Sequence, residues 1–235
     1  MEETVRTMIP AGGFVLASSF FWLMYVDLKD SLRPEPRHML LLAFGLGCVA
    51  NVLGVVFYRI LNELGVSFPI GASSTAVAMY CLLVIGPLEE GVKFAVTRWG
   101  VFRSHHFDER IDGLVYPSCV AIGFAAIESL TQAIHLTPWE HAARAAVGPP
   151  LHSVFAMIWG FGVAHAWFRA TTTIGRILWQ VIPLAAAMLL HGLYDFALLG
   201  LDSTFLASAI LAVLWIAMLF VARHLVFAEI AKRQD

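Results

Sequence analysis

Seven long apolar blocks run through the chain, and they constrain its fold more than any other feature. The blocks lie near residues 11–28, 38–58, 71–97, 112–135, 151–168, 177–200 and 204–224. A stretch of about 20 apolar residues is the length that crosses a bilayer as a helix. Each block is predicted to be a helix, because the backbone inside hydrocarbon must satisfy its own hydrogen bonds and no alternating barrel pattern is present. The sequence therefore predicts an all-α, polytopic membrane helical bundle with about seven transmembrane helices.

The composition agrees with a single integral membrane domain over residues 1–235, placed in the cell membrane. Hydrophobic residues make up 59% of the chain and charged residues 14%, with mean hydropathy +0.76, whereas soluble domains average roughly 45–50% and about 25%. The net charge of −2 indicates no basic surface for nucleic acid. The three cysteines lie inside apolar blocks at unrelated spacings, which argues against a disulfide framework or a CxxC metal site. No basic region precedes the first block, so we expect a retained span rather than a signal peptide.

Lys and Arg residues are distributed unevenly between the two sets of connectors. When the connectors are taken alternately, eleven of these residues fall on one side of the membrane and three on the other. Cytoplasmic loops carry the excess of positive residues. The N-terminus is therefore predicted to lie outside and the C-terminus in the cytoplasm.

Ionisable side chains within the apolar blocks are the strongest functional signal in the sequence. Each costs about 2.5–3.5 kcal/mol near mid-bilayer on insertion scales, so such groups usually face the bundle interior and serve a function. Four blocks contribute them: Glu89, Glu90 and Lys93 in the third, Glu128 in the fourth, His152 at the start of the fifth, and His191 and Asp195 in the sixth. The sequence predicts that these helices meet at one polar site.

The spacing of the third block predicts a pair of glutamates with different roles. Lys93 follows Glu90 by three residues and Glu89 by four, so it can neutralise either carboxylate. Adjacent residues diverge by about 100° around a helix, so one glutamate can face a cavity while the other braces it. The sequence leaves open which does which. Pro87 precedes the pair and is expected to kink the helix, since it removes one backbone hydrogen bond.

His191 and Asp195 lie one helical turn apart in the sixth block. We expect Asp195 to accept an imidazole N–H of His191 and so to fix its tautomer. The predicted cavity lies somewhat outside the bilayer midplane and opens to the extracytoplasmic side. Glu89 is nine residues from Arg98, about 13 Å along a helix, so it meets the other groups only if the third helix tilts or kinks.

Four motifs in order give the chain a family resemblance over residues 70–200. They are Glu89-Glu90-Gly-Val-Lys93, Phe124-Ala-Ala-Ile-Glu128, the separate His152, and His191-Gly-Leu-Tyr-Asp195. This set resembles the EExxK, FxxxE, His and HxxxD pattern of the PrsW family of intramembrane proteases, relatives of the type II CAAX prenyl proteases. The resemblance implies hydrolysis of a peptide bond in a membrane-bound protein substrate, such as a regulatory anti-sigma factor.

Two mechanisms fit these residues. In both, Glu89 or Glu90 is the general base that activates water. In the metal-dependent version, Glu128, His152 and His191 are the ligands of a zinc ion and leave a fourth position for water. In the metal-free version, the same histidines polarise the scissile carbonyl and orient the water. The sequence does not decide between them.

Other functions remain as alternatives. A proton- or ion-coupled transporter would spread polar groups through both leaflets, often with an inverted repeat, and neither pattern is visible. A non-catalytic membrane scaffold would use the same groups as structural ion pairs, and His152 alone could be a hydrated residue at the start of a helix. The sequence has no HExxH, GxSG or GxGD motif, which excludes the other common intramembrane protease classes. The tryptophans and phenylalanines are expected to face lipid or anchor at the interface.

Overall fold

The computed structural model describes residues 2–29, 33–133 and 136–232, and every regular element in these ranges is a helix. The ends of the predicted domain and residues 134–135 of the fourth predicted block lie outside them. The helices are α1 Glu2–Lys29, α2 Arg37–Glu63, α3 Ser74–Tyr80, α4 Gly86–Gly100, α5 Asp112–Gln132, α6 Pro138–Phe168, α7 Thr173–Leu199 and α8 Thr204–Lys232. A π-helical segment, Cys81–Ile85, joins α3 to α4, so residues 74–100 form one continuous span.

Seven of these helical stretches are long and apolar enough to cross a membrane, which confirms the predicted number of spans. The central span is α5, with 83% of its most apolar stretch buried, while α8 has only 11% buried and faces outward. Small residues permit the close approach of α5 to its neighbours. A Cβ at Gly123 would lie 2.0 Å from the carbonyl oxygen of Phe44 on α2, and one at Gly160 of α6 would lie 1.9 Å from that of Gly113.

The fifth span begins much earlier than the sequence indicates. The fifth predicted block starts at residue 151, so the sequence places Pro149 and Pro150 in the connector before it, but α6 begins at Pro138 and contains both prolines. Thr137 caps its first turn: the Thr137 side chain accepts from the backbone N–H of Glu140, whose carboxylate accepts from the backbone N–H of Thr137. The predicted boundary is therefore wrong, and Arg144 lies within a span rather than in a connector.

Two side chains of α1 explain why tandem prolines are tolerated in α6. Pro149 and Pro150 lack the N–H groups that would bond to the carbonyls four residues earlier, those of Ala145 and Ala146. The Ser18 hydroxyl donates to the Ala145 carbonyl, and the Trp22 indole donates to the Ala146 carbonyl over 3.1 Å. Both carbonyls thus accept hydrogen bonds from α1, as the bilayer requires.

The irregularity expected at Pro87 takes the form of the π-helical segment immediately before it. A π-helical turn changes the angular phase of every residue that follows. Helix α7 packs tightly against this segment: a Cβ at Gly192 would lie 2.4 Å from the carbonyl oxygen of Cys81, and one at Gly86 would lie 2.0 Å from that of Met188. This contact places His191, the neighbour of Gly192, beside the glutamates of α4.

Candidate active site

The seven ionisable residues singled out in the sequence converge on one site. Side chains from α4, α5, α6 and α7 are joined there by hydrogen bonds and ion pairs. A cavity of about 490 Å³ opens beside them, at the end of the bundle where α2 ends and α3 begins. Five of the seven line this cavity: Glu89, Glu128, His152, His191 and Asp195. Glu90 and Lys93 lie behind the cavity wall, each with 0% of its surface exposed.

Glu90 is the bracing glutamate of the pair. Its Oε1 accepts from Lys93 Nζ over 2.7 Å and lies 2.8 Å from His191 Nδ1, and its Oε2 accepts from the indole N–H of Trp159 over 2.9 Å. Both carboxylate oxygens are therefore used within the protein. Trp159 is fully buried, so the expectation that the tryptophans face lipid is wrong for this residue.

Glu89 faces the cavity. Its Oε1 accepts from the Tyr58 hydroxyl over 3.3 Å. Its Oε2 is buried and has no hydrogen-bond partner in the part of the chain that the structure describes. Three nitrogen atoms surround this oxygen beyond hydrogen-bond distance: Lys93 Nζ at 3.9 Å, His152 Nδ1 at 4.0 Å and His191 Nε2 at 3.8 Å. The glutamate pair left open by the sequence is thus divided by geometry, with Glu89 toward the cavity.

The neighbours of His191 determine its tautomer. A carboxylate only accepts hydrogen bonds, so His191 Nδ1, 2.8 Å from Glu90, carries the proton. When the ring is neutral, the lone pair of Nε2 points toward Glu89 and the cavity. The sequence assigned this orienting role to Asp195, but Asp195 Oδ2 is 3.7 Å from Nε2, beyond hydrogen-bond distance. The assignment was wrong because Nδ1 points toward α4, across the helix interface, and is met by Glu90.

His152 is held from both sides. An ammonium only donates, so Lys93 Nζ, at 3.0 Å, donates to His152 Nδ1. The proton of the neutral imidazole is then on Nε2, which donates to Glu128 Oε2 over 2.8 Å. Glu128 Oε1 in turn accepts from Arg144. His152 lies in the interior of α6, only 3% exposed, so it is not a hydrated residue at the start of a helix.

Three donor atoms are arranged for a metal ion: a carboxylate oxygen of Glu89 and one ring nitrogen each of His152 and His191, all within 4.8 Å of one another. The sequence predicted Glu128 in place of Glu89. The structure differs because both oxygens of Glu128 are already hydrogen-bonded, whereas Glu89 Oε2 is unpaired among the described residues. Glu89 is therefore the carboxylate that fits a metal site.

The charge balance around the site also fits a cation. Four carboxylates lie in or against it, while two permanent cations, Lys93 and Arg144, accompany them in the described chain. With neutral histidines and ionised acids, the cluster carries two net negative charges away from bulk water, which is unfavourable without compensation. A divalent ion bound at Glu89, His152 and His191 would supply that compensation.

Four contributors to the site were missed by the sequence reasoning: Asn51, Tyr58, Arg144 and Trp159. Trp159 follows His152 by seven residues, two turns on the same face of α6, and this spacing was a usable signal. Asn51 and Tyr58 share the corresponding spacing on α2, which carries none of the family motifs. Arg144 was assigned to a connector, so its position on α6 gave no signal.

Comparison with known proteins agrees with this geometry. Residues 35–223 match the model of a family described as PrsW family intramembrane metalloprotease. Among named relatives, Protease PrsW of Bacillus subtilis is 35% identical over 189 residues, covering 80% of this chain and 82% of that protein. Protease PrsW of Geobacillus kaustophilus is 31% identical over 216 residues, covering 90% and 89% of the two chains, and that of Oceanobacillus iheyensis is 30% identical over 209 residues, covering 87% and 91%.

No solved structure matches the chain. The family match covers all four motifs and five of the seven spans completely. It also favours the protease over the transporter and the scaffold that the sequence left as alternatives. On these grounds the chain belongs to the PrsW family of intramembrane metalloproteases, as a multi-pass membrane protein with peptidase activity.

Proposed function

We propose that the cavity is where the chain hydrolyses a peptide bond of a membrane-bound protein, with Glu89, His152 and His191 holding a zinc ion. The observation that carries this proposal is the buried Glu89 Oε2, which has no hydrogen-bond partner among the described residues and faces two imidazole nitrogens at 3.8 and 4.0 Å. An ion held there would polarise the scissile carbonyl and lower the pKa of a water molecule. Two histidines and one glutamate are a ligand set of known catalytic zinc sites.

Asp195 is the residue to which we assign the proton of the attacking water. Of the carboxylates that line the cavity in the described chain, Glu89 belongs to the ligand set and Glu128 has both oxygens hydrogen-bonded. Asp195 lines the same cavity, with 18% of its side chain exposed, and its Oδ2 lies 3.7 Å from His191 Nε2. It can accept the proton at Oδ2 and return it to the leaving amine.

The remaining residues position the two imidazoles. Glu90 holds His191 through Nδ1, so that Nε2 presents its lone pair to the cavity. Glu128 accepts from Nε2 of His152 and leaves Nδ1 on the side of Glu89. Lys93 donates to this Nδ1 in the metal-free site, and an ion bound there would take its place while Lys93 keeps its bond to Glu90. Partners of this kind orient metal-binding histidines and typically change affinity or activity ten- to a hundredfold. Glu90 and Glu128 are therefore positioning residues in this proposal.

The substrate class follows from the location of the cavity among membrane helices. A membrane-spanning protein can bring a peptide bond to this depth, and the family resemblance suggests a regulatory protein such as an anti-sigma factor. The cavity opens at the end of the bundle predicted to be extracytoplasmic, so the cleaved bond is expected in that half of the membrane.

Proteolysis in liposomes tests the proposal. The purified protein would be reconstituted with a fluorescently labelled single-span substrate, and wild type would be compared with Glu89→Gln, His191→Ala and Asp195→Asn. We expect each substitution to lower the cleavage rate at least about a hundredfold, the usual contribution of such groups. Glu63→Gln, at the exposed end of α2, is the matched control and should cleave like wild type.

A chelator separates the two mechanisms. A membrane-permeant chelator should abolish cleavage, its non-chelating isomer should not, and added zinc should restore the rate. Bound zinc, measured on the purified protein, should fall in Glu89→Gln and in His191→Ala. Full activity of metal-stripped protein would refute the metal assignment, and full activity of Glu89→Gln would refute the site.

A further inference from the structure

Asn51 is a buried amide in the wall of the active-site cavity that the proposed chemistry does not use. It lies on α2, is only 4% exposed, and lines the cavity together with Glu89 and His152. Its Oδ1 is buried without a hydrogen-bond partner among the residues described. An amide oxygen that is buried without a hydrogen-bond donor is unfavourable, so this side chain is better explained by a partner that arrives with the substrate.

The reaction proposed for the site defines the conformation of that substrate. The attacking water and Asp195 must reach the carbonyl carbon and the nitrogen of a single peptide bond. A helix keeps both groups of each peptide unit within its own hydrogen bonds. The cavity, about 490 Å³ in volume and lined by Asp195 and Asn51, is therefore suited to an unwound stretch of chain.

Unwinding creates a requirement that Asn51 can meet. Each peptide group released from a helix inside the membrane needs a new hydrogen-bond partner. A side-chain amide offers one acceptor and two donors, which match the N–H and C=O of a peptide unit. Tyr58 lies seven residues beyond Asn51 on the same face of α2, about 10 Å along the helix, and its hydroxyl bonds to Glu89. The face of α2 that carries Asn51 is thus directed at the site of hydrolysis.

We propose that Asn51 binds the backbone of an unwound substrate segment and positions it across the cavity. This inference rests on the proposed function of the site, since it names how the protein substrate is held there. It assigns to α2, which has none of the family motifs, the recognition of peptide backbone rather than of a particular side chain. Asn51 is accordingly a positioning residue and takes no part in proton transfer.

The affinity of an inactive variant for a substrate-like peptide tests the inference. The probe is a synthetic single-span peptide of Leu and Ala with a Gly-Ser-Gly interruption in one half, labelled with a fluorophore and titrated in liposomes against the Glu89→Gln protein. Adding Asn51→Leu to that protein should raise the Kd about five- to tenfold, the effect of one or two neutral hydrogen bonds. Asn62→Leu, the same substitution at an exposed position of α2, should leave the Kd unchanged.

Stability and kinetics distinguish this role from a structural one. Asn51→Leu removes a buried amide oxygen that has no donor among the described residues, so its Tm should equal or exceed that of the parent. In active protein KM should rise more than kcat falls. An unchanged Kd, or a Tm lowered by Asn51→Leu, would overturn the inference. A peptide that binds in an Asn51-dependent manner but is never cleaved by wild type would refute the proposed function and leave the role of Asn51 standing.

Discussion

Substituting the adjacent glutamates one at a time should separate stability from activity. Glu90 accepts three hydrogen bonds in a fully buried position, one of them from the equally buried Lys93. Glu90→Gln leaves the Lys93 ammonium without its closest counter-charge, and breaking a buried pair in this way costs about 3–5 kcal/mol. At about 2–4 °C per kcal/mol for a chain of this size, the Tm should fall by about 6–20 °C.

Glu89→Gln should behave in the opposite way. The hydrogen bond that this side chain accepts from Tyr58 at Oε1 can be kept by the amide oxygen of Gln. Its Oε2 has no hydrogen-bond partner to lose among the described residues. The expected loss of stability is below about 1 kcal/mol, the net value of one hydrogen bond, while cleavage should be abolished.

Thermal unfolding of the purified variants in one detergent, read beside their cleavage rates, provides the measurement. The double variant Glu90→Gln/Lys93→Met is the control, because removing both charges avoids an uncompensated buried ion. It should recover most of the Tm lost in Glu90→Gln without recovering activity. Equal Tm losses for Glu89→Gln and Glu90→Gln, or no recovery in the double variant, would refute the assignment of the two glutamates.

Three further predictions concern the scaffold. Ser18→Ala and Trp22→Phe each leave one proline-freed carbonyl of α6 unpaired, so each should lower the free energy of unfolding by about 1–3 kcal/mol; unchanged unfolding curves would contradict that role. Gly192→Ala forces a Cβ to 2.4 Å from backbone of the π-helical segment and should reduce cleavage, whereas Gly45→Ala, which meets no described atom within 4 Å, should not. Burial raises the pKa of the Glu35 carboxyl above its ordinary value of 4.5. The native state therefore binds more protons than the unfolded state, and the free energy of unfolding should fall as the pH rises above 4.5. Glu35→Gln should flatten this dependence in a pH series of unfolding curves, and an unaltered slope would contradict the prediction.

The number of spans was predictable because hydrocarbon imposes a length and a composition on every helix that crosses it. The start of α6 was not predictable, for a specific reason. Tandem prolines normally mark the end of a helix, and Pro149-Pro150 is tolerated only because Ser18 and Trp22 satisfy the freed carbonyls. Ser18 and Trp22 lie more than 120 residues before the carbonyls that they contact. The local sequence around the two prolines therefore does not indicate these partners.

The membership of the site was visible in the sequence, but the roles within it were not. Buried charge is costly enough that Glu89, Glu90 and His191 had to face one another or a cavity. Which glutamate faces the cavity depends on the helical phase after the π-helical segment and on the packing of α7 against it. Both are tertiary contacts, as the backbone of Cys81 against Gly192 shows.

Lys93 links the two imidazoles into one unit, which explains why the motif residues act as a set. Its ammonium neutralises Glu90, which orients His191, and it donates to Nδ1 of His152. Both rings therefore take their tautomers from groups that depend on one cation. Because that cation is wholly buried, no solvent ion can replace it. The EExxK spacing thus allows one turn of helix to carry the cavity carboxylate, the bracing carboxylate and the cation that both carboxylates face. The FxxxE, His and HxxxD motifs supply the partners that this turn cannot provide by itself.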